Sequence, residues 1–174
     1  GLGLMARKER PYEVIGTDWE RNHARTAKKM GALDRETGSL HEAVDEAGLV
    51  ILAVPVMAAR QLLQELGPEL PEGCVVMDTC STKVDVLRWA GEYLPETVSF
   101  VGSHPMAGRE ISGPGAATAD LFRGATWAVT PTARAAESAI SVVLGIVDTL
   151  GAVPLYIDPA EHDQYAAAIS HLPI

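Results

Sequence analysis

A handful of side chains in this 174-residue chain could do chemistry, and their spacing says what kind. His104 closes the apolar run VSFVGSH and precedes Pro105, which biases its backbone toward extended geometry. A neutral imidazole there, near its unperturbed pKa of about 6.5, can accept a hydroxyl proton as hydride leaves the same carbon. A histidine at a strand end can equally do no more than bond backbone. Ser81, after VVMDTC, can exchange a hydrogen bond at the same edge or cap the helix that follows. Gly1, Gly3 and Ala6 of GLGLMA fit G-x-G-x-x-A, the turn in which small residues let backbone approach a pyrophosphate and helix pack on strand. Asp18 stands 17 positions after Gly1, near the spacing at which an acid accepts from an adenosine ribose and favours NAD over NADP. The alternative for Asp18 is a loop aspartate capping the next helix, and the VIG before it favours the ribose. His171 alone reads as a structural histidine on a mostly apolar helix, and His23, His41 and His162 read as surface residues of helical stretches.

These groups need elements to position them. From Tyr12 the chain alternates short apolar runs with helical stretches, the pattern of an α/β fold with a mainly parallel sheet and helices on both faces, Rossmann-like. YEVIGTD (12–18) reads as a strand, followed by a helix through WERNHARTAKKM with Gly31 at its C-terminal cap. LVILAVP (49–55) reads as a central strand buried on both faces. A helix through MAARQLLQEL, strands at CVVMD and VSFVGSH, and a helix from Thr82 to about Leu94 continue the series. The segment 104–125 is rich in Gly, Ser and Ala, as functional loops are. TWAVTPT and VPLYI read as strands around a helix from about Ala133 to Leu150. Asp158, Pro159 and Glu161 form a strong helix-start signal.

Before Tyr12 the pattern fails. Residues 6–10 can make only about one helical turn, roughly 7 Å, too short to cross a sheet. The expectation is therefore an irregular start or residues absent near Met5, with a missing first strand, a shortened first helix, and truncation at both ends. Residues 1–157 read as a dinucleotide-binding domain and 158–174 as the start of a helix leading elsewhere.

The composition, 47% hydrophobic and 21% charged, is that of a globular protein. No apolar run reaches the roughly 18 residues of a membrane span, and no signal segment opens the chain, so a cytoplasmic protein is expected. A net charge of -9 disfavours nucleic acid and anionic membranes as partners. Cys74 and Cys80 match no zinc or redox spacing and read as reduced structural thiols. Metal, phosphate-loop and acyl-transfer motifs have no anchor.

ILAVPV, DTCSTK, VGSHPMAGREISGPGAATADLF, WAVTPT and DPAEHDQYAAAISHLP, in that order, resemble the nucleotide-binding domain of the prephenate, arogenate and cyclohexadienyl dehydrogenases. GSHPMAG with SHLP is the most specific part. A hydroxyacid dehydrogenase would explain the glycine turn but not that pair. The resemblance implies NAD(P)-linked oxidative decarboxylation of prephenate or arogenate in tyrosine biosynthesis, within a homodimer. His104 then accepts the hydrogen bond of the substrate ring hydroxyl, Ser81 orients that hydroxyl or the nicotinamide, and His171 lies near the substrate. Gly1, Gly3 and Ala6 cradle pyrophosphate, Asp18 faces ribose, and Val54 with Pro55 line the cofactor cleft. On the family pattern the helical dimerisation domain is expected to be missing here, and Ile174 stands where the family has a second histidine. These departures leave a non-catalytic dinucleotide-binding module as the alternative.

Overall fold

The computed structural model describes residues 2–5, 12–107 and 113–171, with only the backbone given for Met5, Ile169, Ser170 and His171. The described strands form two sheets. β1 (Ile15–Gly16) pairs with β2 (Arg35–Glu36). β3 (Leu49–Leu52), β4 (Val75–Asp78), β5 (Ser99–Pro105), β6 (Thr126–Pro131) and β7 (Val153–Tyr156) make a five-stranded sheet in chain order. β3, β4 and β5 are parallel, β6 runs antiparallel to β5, and β7 is parallel to β6. The expected mainly parallel α/β class is what forms, closed on one side by a reversed pair.

The helices are α1 (Leu2–Met5), α2 (Arg21–Lys29), α3 (Leu40–Val44), α4 (Val56–Leu66), α5 (Val84–Tyr93), α6 (Glu137–Thr149) and α7 (Pro159–His171). They cover both faces of the larger sheet because strand side chains alternate between faces. Val76 and Phe100 turn toward Ala59, Leu63, Val86 and Trp89 of α4 and α5. Val75, Met77, Val101, Trp127 and Val129 turn toward Ala139, Val143 and Val147 of α6. All four residues of β4 are buried, so this strand is the middle of the core.

β3 was expected to be central and instead lies at an edge of the five-stranded sheet. Of its four residues only Leu52 is buried. Its apolar run arises from coverage on both faces, with Val50 and Leu52 packed on the α4–α5 side and Leu49 and Ile51 on the α6 side. Face coverage says nothing about neighbours within the sheet, and the described strands upstream pair with each other. α6 begins four residues later than Ala133 because Ala136 remains extended and donates its N–H to Ser99 Oγ at 3.3 Å.

The expected caps of α2 and α7 form. Gly31, with φ +78°, follows the C-cap Met30. Asp158 Oδ1 accepts from the amides of Ala160 (2.8 Å) and Glu161 (3.2 Å). Of the segment 1–10, only the single turn of α1 lies among the described residues, so the expectation about a gap near Met5 falls outside them.

Candidate active site

The carboxyl ends of β3 and β4 come level, Leu52 pairing with Asp78, and β5, in register with β4 through Met77 and Val101, runs on past them in the same direction to Pro105. The segments after them therefore leave the sheet at one edge, where open α/β sheets hold ligands. Val54 is half-buried, and Ala53 and Pro55 are exposed beyond β3. Ser81 is exposed beyond β4, and His104 sits half-buried within β5. The structure thus brings Val54, Pro55, Ser81 and His104 to a common edge.

His104 is not alone there. Its Nδ1 lies 2.9 Å from Nε2 of His162, with the rings edge to face at 77°. His162 Nδ1 lies in turn 2.8 Å from Asp163 Oδ1. His162 is 2% exposed, which corrects its reading as a surface residue. On α7 it is flanked by Glu161, Asp163 and Gln164, the signature of a solvated face, but the helix packs on α5 with this turn inward. Burial, reinforced by the His162 and Lys83 charges and opposed by Asp163, pushes the pKa of His104 down to about 4. The imidazole is therefore neutral at physiological pH, as a proton acceptor must be.

Asp163 has a second task. Its carboxylate accepts the backbone N–H of Lys83 (2.6 Å) and of Val84 (3.0 Å), the first amides of α5. Ser81 is therefore not the N-cap of this helix. α5 starts three residues after Ser81, at Val84, and is capped by a side chain 80 residues away in sequence. Burial resists ionisation of Asp163, but the hydrogen bond from His162 and the amides of Val84 and Lys83 outweigh it and hold the carboxyl below its ordinary range.

Beneath His104 lies a buried ion pair. Lys83 Nζ donates to Asp78 Oδ2, and both side chains are fully buried. Lys83 Nζ also donates to the Ser103 carbonyl at 2.6 Å, and Ser103 N donates to Asp78 Oδ1 at 2.9 Å. Asp78 Oδ2 additionally accepts from Cys80 N at 2.9 Å. The residue preceding His104 is thus tied to the end of β4 through its N–H and its C=O.

The other expected residues stand apart from this cluster. Asp18 lies two residues beyond β1, its Oδ1 accepting from Glu20 N at 2.8 Å and its Oδ2 3.6 Å from His23 Nδ1. Glu20, not Asp18, is the N-cap of α2. The Asp18 side chain is 35% exposed, which leaves carboxylate lone pairs open. Gly3 lies in α1, where a Cβ would stand 2.1 Å from the Ala32 carbonyl oxygen, so helix packing alone requires glycine. Gly1 and Ala6 lie outside the described residues. The backbone of His171 ends α7, nine positions past His162, or about 13 Å along the axis. Among the described residues no group of three His, Cys, Asp or Glu is placed to hold a metal ion, and no helix is long and apolar enough to cross a membrane.

Both cysteines are free and buried. Burial pushes the Cys74 thiol up to about 11. Burial, with the Asp78 charge and hydrogen bond adding to it against Lys83, pushes the Cys80 thiol up to about 12. Since the thiolate is the reactive form, neither should be alkylated by iodoacetamide at neutral pH in the folded chain, and both should be after denaturation. Rapid labelling of Cys80 in the native state would show that the Asp78 region opens readily.

The family model for the prephenate dehydrogenase nucleotide-binding domain matches residues 2–156. Prephenate dehydrogenase of Bacillus subtilis is 33% identical over 174 residues, which is 99% of this chain and 47% of that protein. The crystal structure of the Aquifex aeolicus prephenate dehydrogenase in complex with hydroxyphenyl propionate and NAD+ superposes with a TM-score of 0.86 at 26% identity, over 94% of this chain and 57% of that one. Synechocystis arogenate dehydrogenase gives a TM-score of 0.88 at 27% identity, covering 99% and 60%. The chain spans about half the length of the curated relatives it matches.

Proposed function

The chain belongs to the prephenate dehydrogenase family, and from that premise we propose that it is the dinucleotide-binding part of an enzyme that oxidatively decarboxylates prephenate or arogenate with NAD. The observation that carries the reading is His104: a neutral, half-buried imidazole at the carboxyl edge of the sheet, held through one ring nitrogen. It accepts the hydrogen bond, and then the proton, of the substrate ring hydroxyl as hydride leaves the carbon bearing it. The ring carboxylate departs as carbon dioxide, its bonding electrons aromatise the ring, and the proton returns to the phenolic oxygen. Ser81, exposed at the same edge, orients the hydroxyl or the nicotinamide. His171 contributes to the substrate side.

NAD supplies the hydride acceptor when bound, and the described residues fit it. Asp18 uses one lone pair on Glu20 N and keeps others for the ribose diol. Val54 and the exposed Pro55 leave the end of β3 open along the cleft. Gly1, Gly3 and Ala6 belong to the pyrophosphate turn in this reading. Residues 1–157 form the dinucleotide-binding domain, and 158–174 begin the helix leading into a helical dimerisation domain. The protein works as a cytoplasmic homodimer on a small anionic substrate, and its net charge of -9 argues against nucleic acid as a partner.

NADH formation with prephenate and with arogenate tests the reading, on this chain and on a version extended to the length of the matched relatives. Turnover of either substrate by the extended version is expected. No turnover of either would leave a non-catalytic dinucleotide-binding module. A second prediction concerns cofactor choice. Asp18→Asn removes a charged acceptor worth about 1.5–3 kcal/mol, so NAD affinity should fall about 10- to 100-fold and the preference over NADP should shrink. Equal affinity for the two cofactors before mutation would remove Asp18 from the ribose.

A further inference from the structure

The hydrogen-bond chain behind His104 has a direction, and that direction decides which nitrogen of His104 can act as a base. An ionised carboxylate only accepts hydrogen bonds, and Asp163 is held ionised by two backbone amides besides its contact to His162. His162 Nδ1 must therefore be the donor to Asp163. In a neutral ring that leaves Nε2 of His162 as an acceptor, and among the described residues the group that meets it is Nδ1 of His104, at 2.9 Å. His104 Nδ1 must then carry the proton, and Nε2 of His104 must be bare.

We propose that His162 and Asp163 are positioning residues that fix His104 in the Nδ1–H tautomer, so that Nε2 is its single acceptor nitrogen. The inference rests on the reading of His104 as the group that takes the substrate hydroxyl proton, and it adds what selects and orients the reactive nitrogen. The arrangement differs from a carboxylate–histidine pair by an intervening ring. His162 transmits the polarity of Asp163 to His104, and α7 supplies both residues from one turn. The same carboxylate caps α5, the helix that Lys83 immediately precedes, so the position of α7 sets both the ring and the end of the strand beneath it. Without His162, the Nδ1 of His104 loses its partner, and the two neutral tautomers and the ring orientation become free to exchange.

The direct test needs no activity. In the 174-residue chain labelled with 15N-histidine, long-range proton–nitrogen correlation spectra distinguish bare from protonated ring nitrogens, and the His104 and His162 signals are identified by their loss in His104→Asn and His162→Gln. The wild-type chain should show His104 with its proton on Nδ1 and Nε2 bare, and His162 with a proton on the Nδ1 that faces Asp163. A proton on Nε2 of His104 in the wild type overturns the proposal without any variant. Asp163→Asn should mix the tautomers of both rings; unchanged tautomers in a folded Asp163→Asn chain also overturn it. In the extended protein, His162→Leu should lower kcat about 10- to 100-fold with the KM for substrate and the Kd for NAD within about twofold. His162→Gln, whose amide can donate one hydrogen bond and accept another, should recover about half of that loss on a logarithmic scale. Equal kcat in His162→Leu and wild type would overturn the relay while leaving the proposed reaction standing. Absence of turnover in wild type would remove the reaction and leave the tautomer result to stand or fall on the spectra.

Discussion

His104→Asn in the extended protein should lower turnover by about 100- to 10,000-fold, the range contributed by a positioned acid–base group, while the Kd for NAD changes by less than about twofold. Asparagine can still donate to His162 and keeps a polar group at the edge, but its amide cannot take a proton. The loss should therefore fall on kcat. The pH dependence gives an independent reading of the same residue. Its protonated form is inactive and its pKa is pushed down to about 4, first by burial and then by the His162 and Lys83 charges against Asp163. On acidification, activity attributable to His104 should persist through the ordinary histidine value of about 6.5 and fall only toward pH 4. The sign for stability is consistent. The unfolded chain protonates this histidine near 6.5 and the folded one near 4, so the stability it contributes is complete above 6.5 and is lost as pH falls through that window. Near-normal turnover in His104→Asn would assign the base elsewhere, whereas an acid limb at about 6.5 that disappears with the mutation would keep His104 as the base without its downward shift.

The sequence announced His104 and concealed His162, and the reason is physical. A strand ending in histidine and proline at the carboxyl edge of a parallel sheet is a local pattern. His162 sits among Glu161, Asp163 and Gln164 on a helix, and its value depends on a partner 58 residues earlier. Nothing in the spacing of α7 says which face packs on α5. The same limit hid the cap of α5. Ser81 has the right residue type near the right place, but Asp163 supplies the carboxylate from across the fold, and the helix starts later as a result. The signal that could have found both is the repeated acid in DPAEHD. Asp158 fully accounts for the helix start, which leaves Asp163 unexplained by local needs. Strand order failed in another way: the apolar run of β3 correctly reports two covered faces, but hydrophobicity carries no record of which strand lies beside which. The alternation of elements, the helix-end signals of α2 and α7, and the edge at which ligands bind were all legible because each depends on residues close in sequence.

Lys83→Met should cost about 3–5 kcal/mol of stability, the usual penalty for leaving one member of a buried ion pair without its partner. For a chain of this size that is a fall in Tm on the order of 10 °C. The β4–β5 backbone register ends at Met77 and Val101, and beyond it the two strands are joined by side chains. Lys83 Nζ holds the Ser103 carbonyl, Asp78 holds the Ser103 amide, and Ser103 Oγ donates to the Asp78 carbonyl. Losing the ammonium strands the Asp78 carboxylate and frees the residue on which His104 is mounted, so kcat should fall with stability. Replacing both partners is informative because the pair does more than neutralise itself. Asp78→Asn removes the buried charge, yet its amide has one acceptor oxygen where Ser103 N and Cys80 N each need one. The double variant Asp78→Asn/Lys83→Met should therefore recover part of the stability and leave one buried amide unsatisfied, at about 1–3 kcal/mol. Full recovery in urea unfolding would show that charge compensation is the whole role of Lys83. A Lys83→Met chain within about 0.5 kcal/mol of wild type would mean that Asp78 is already sufficiently held by Ser103 and Cys80, and that the end of β5 does not depend on the ion pair.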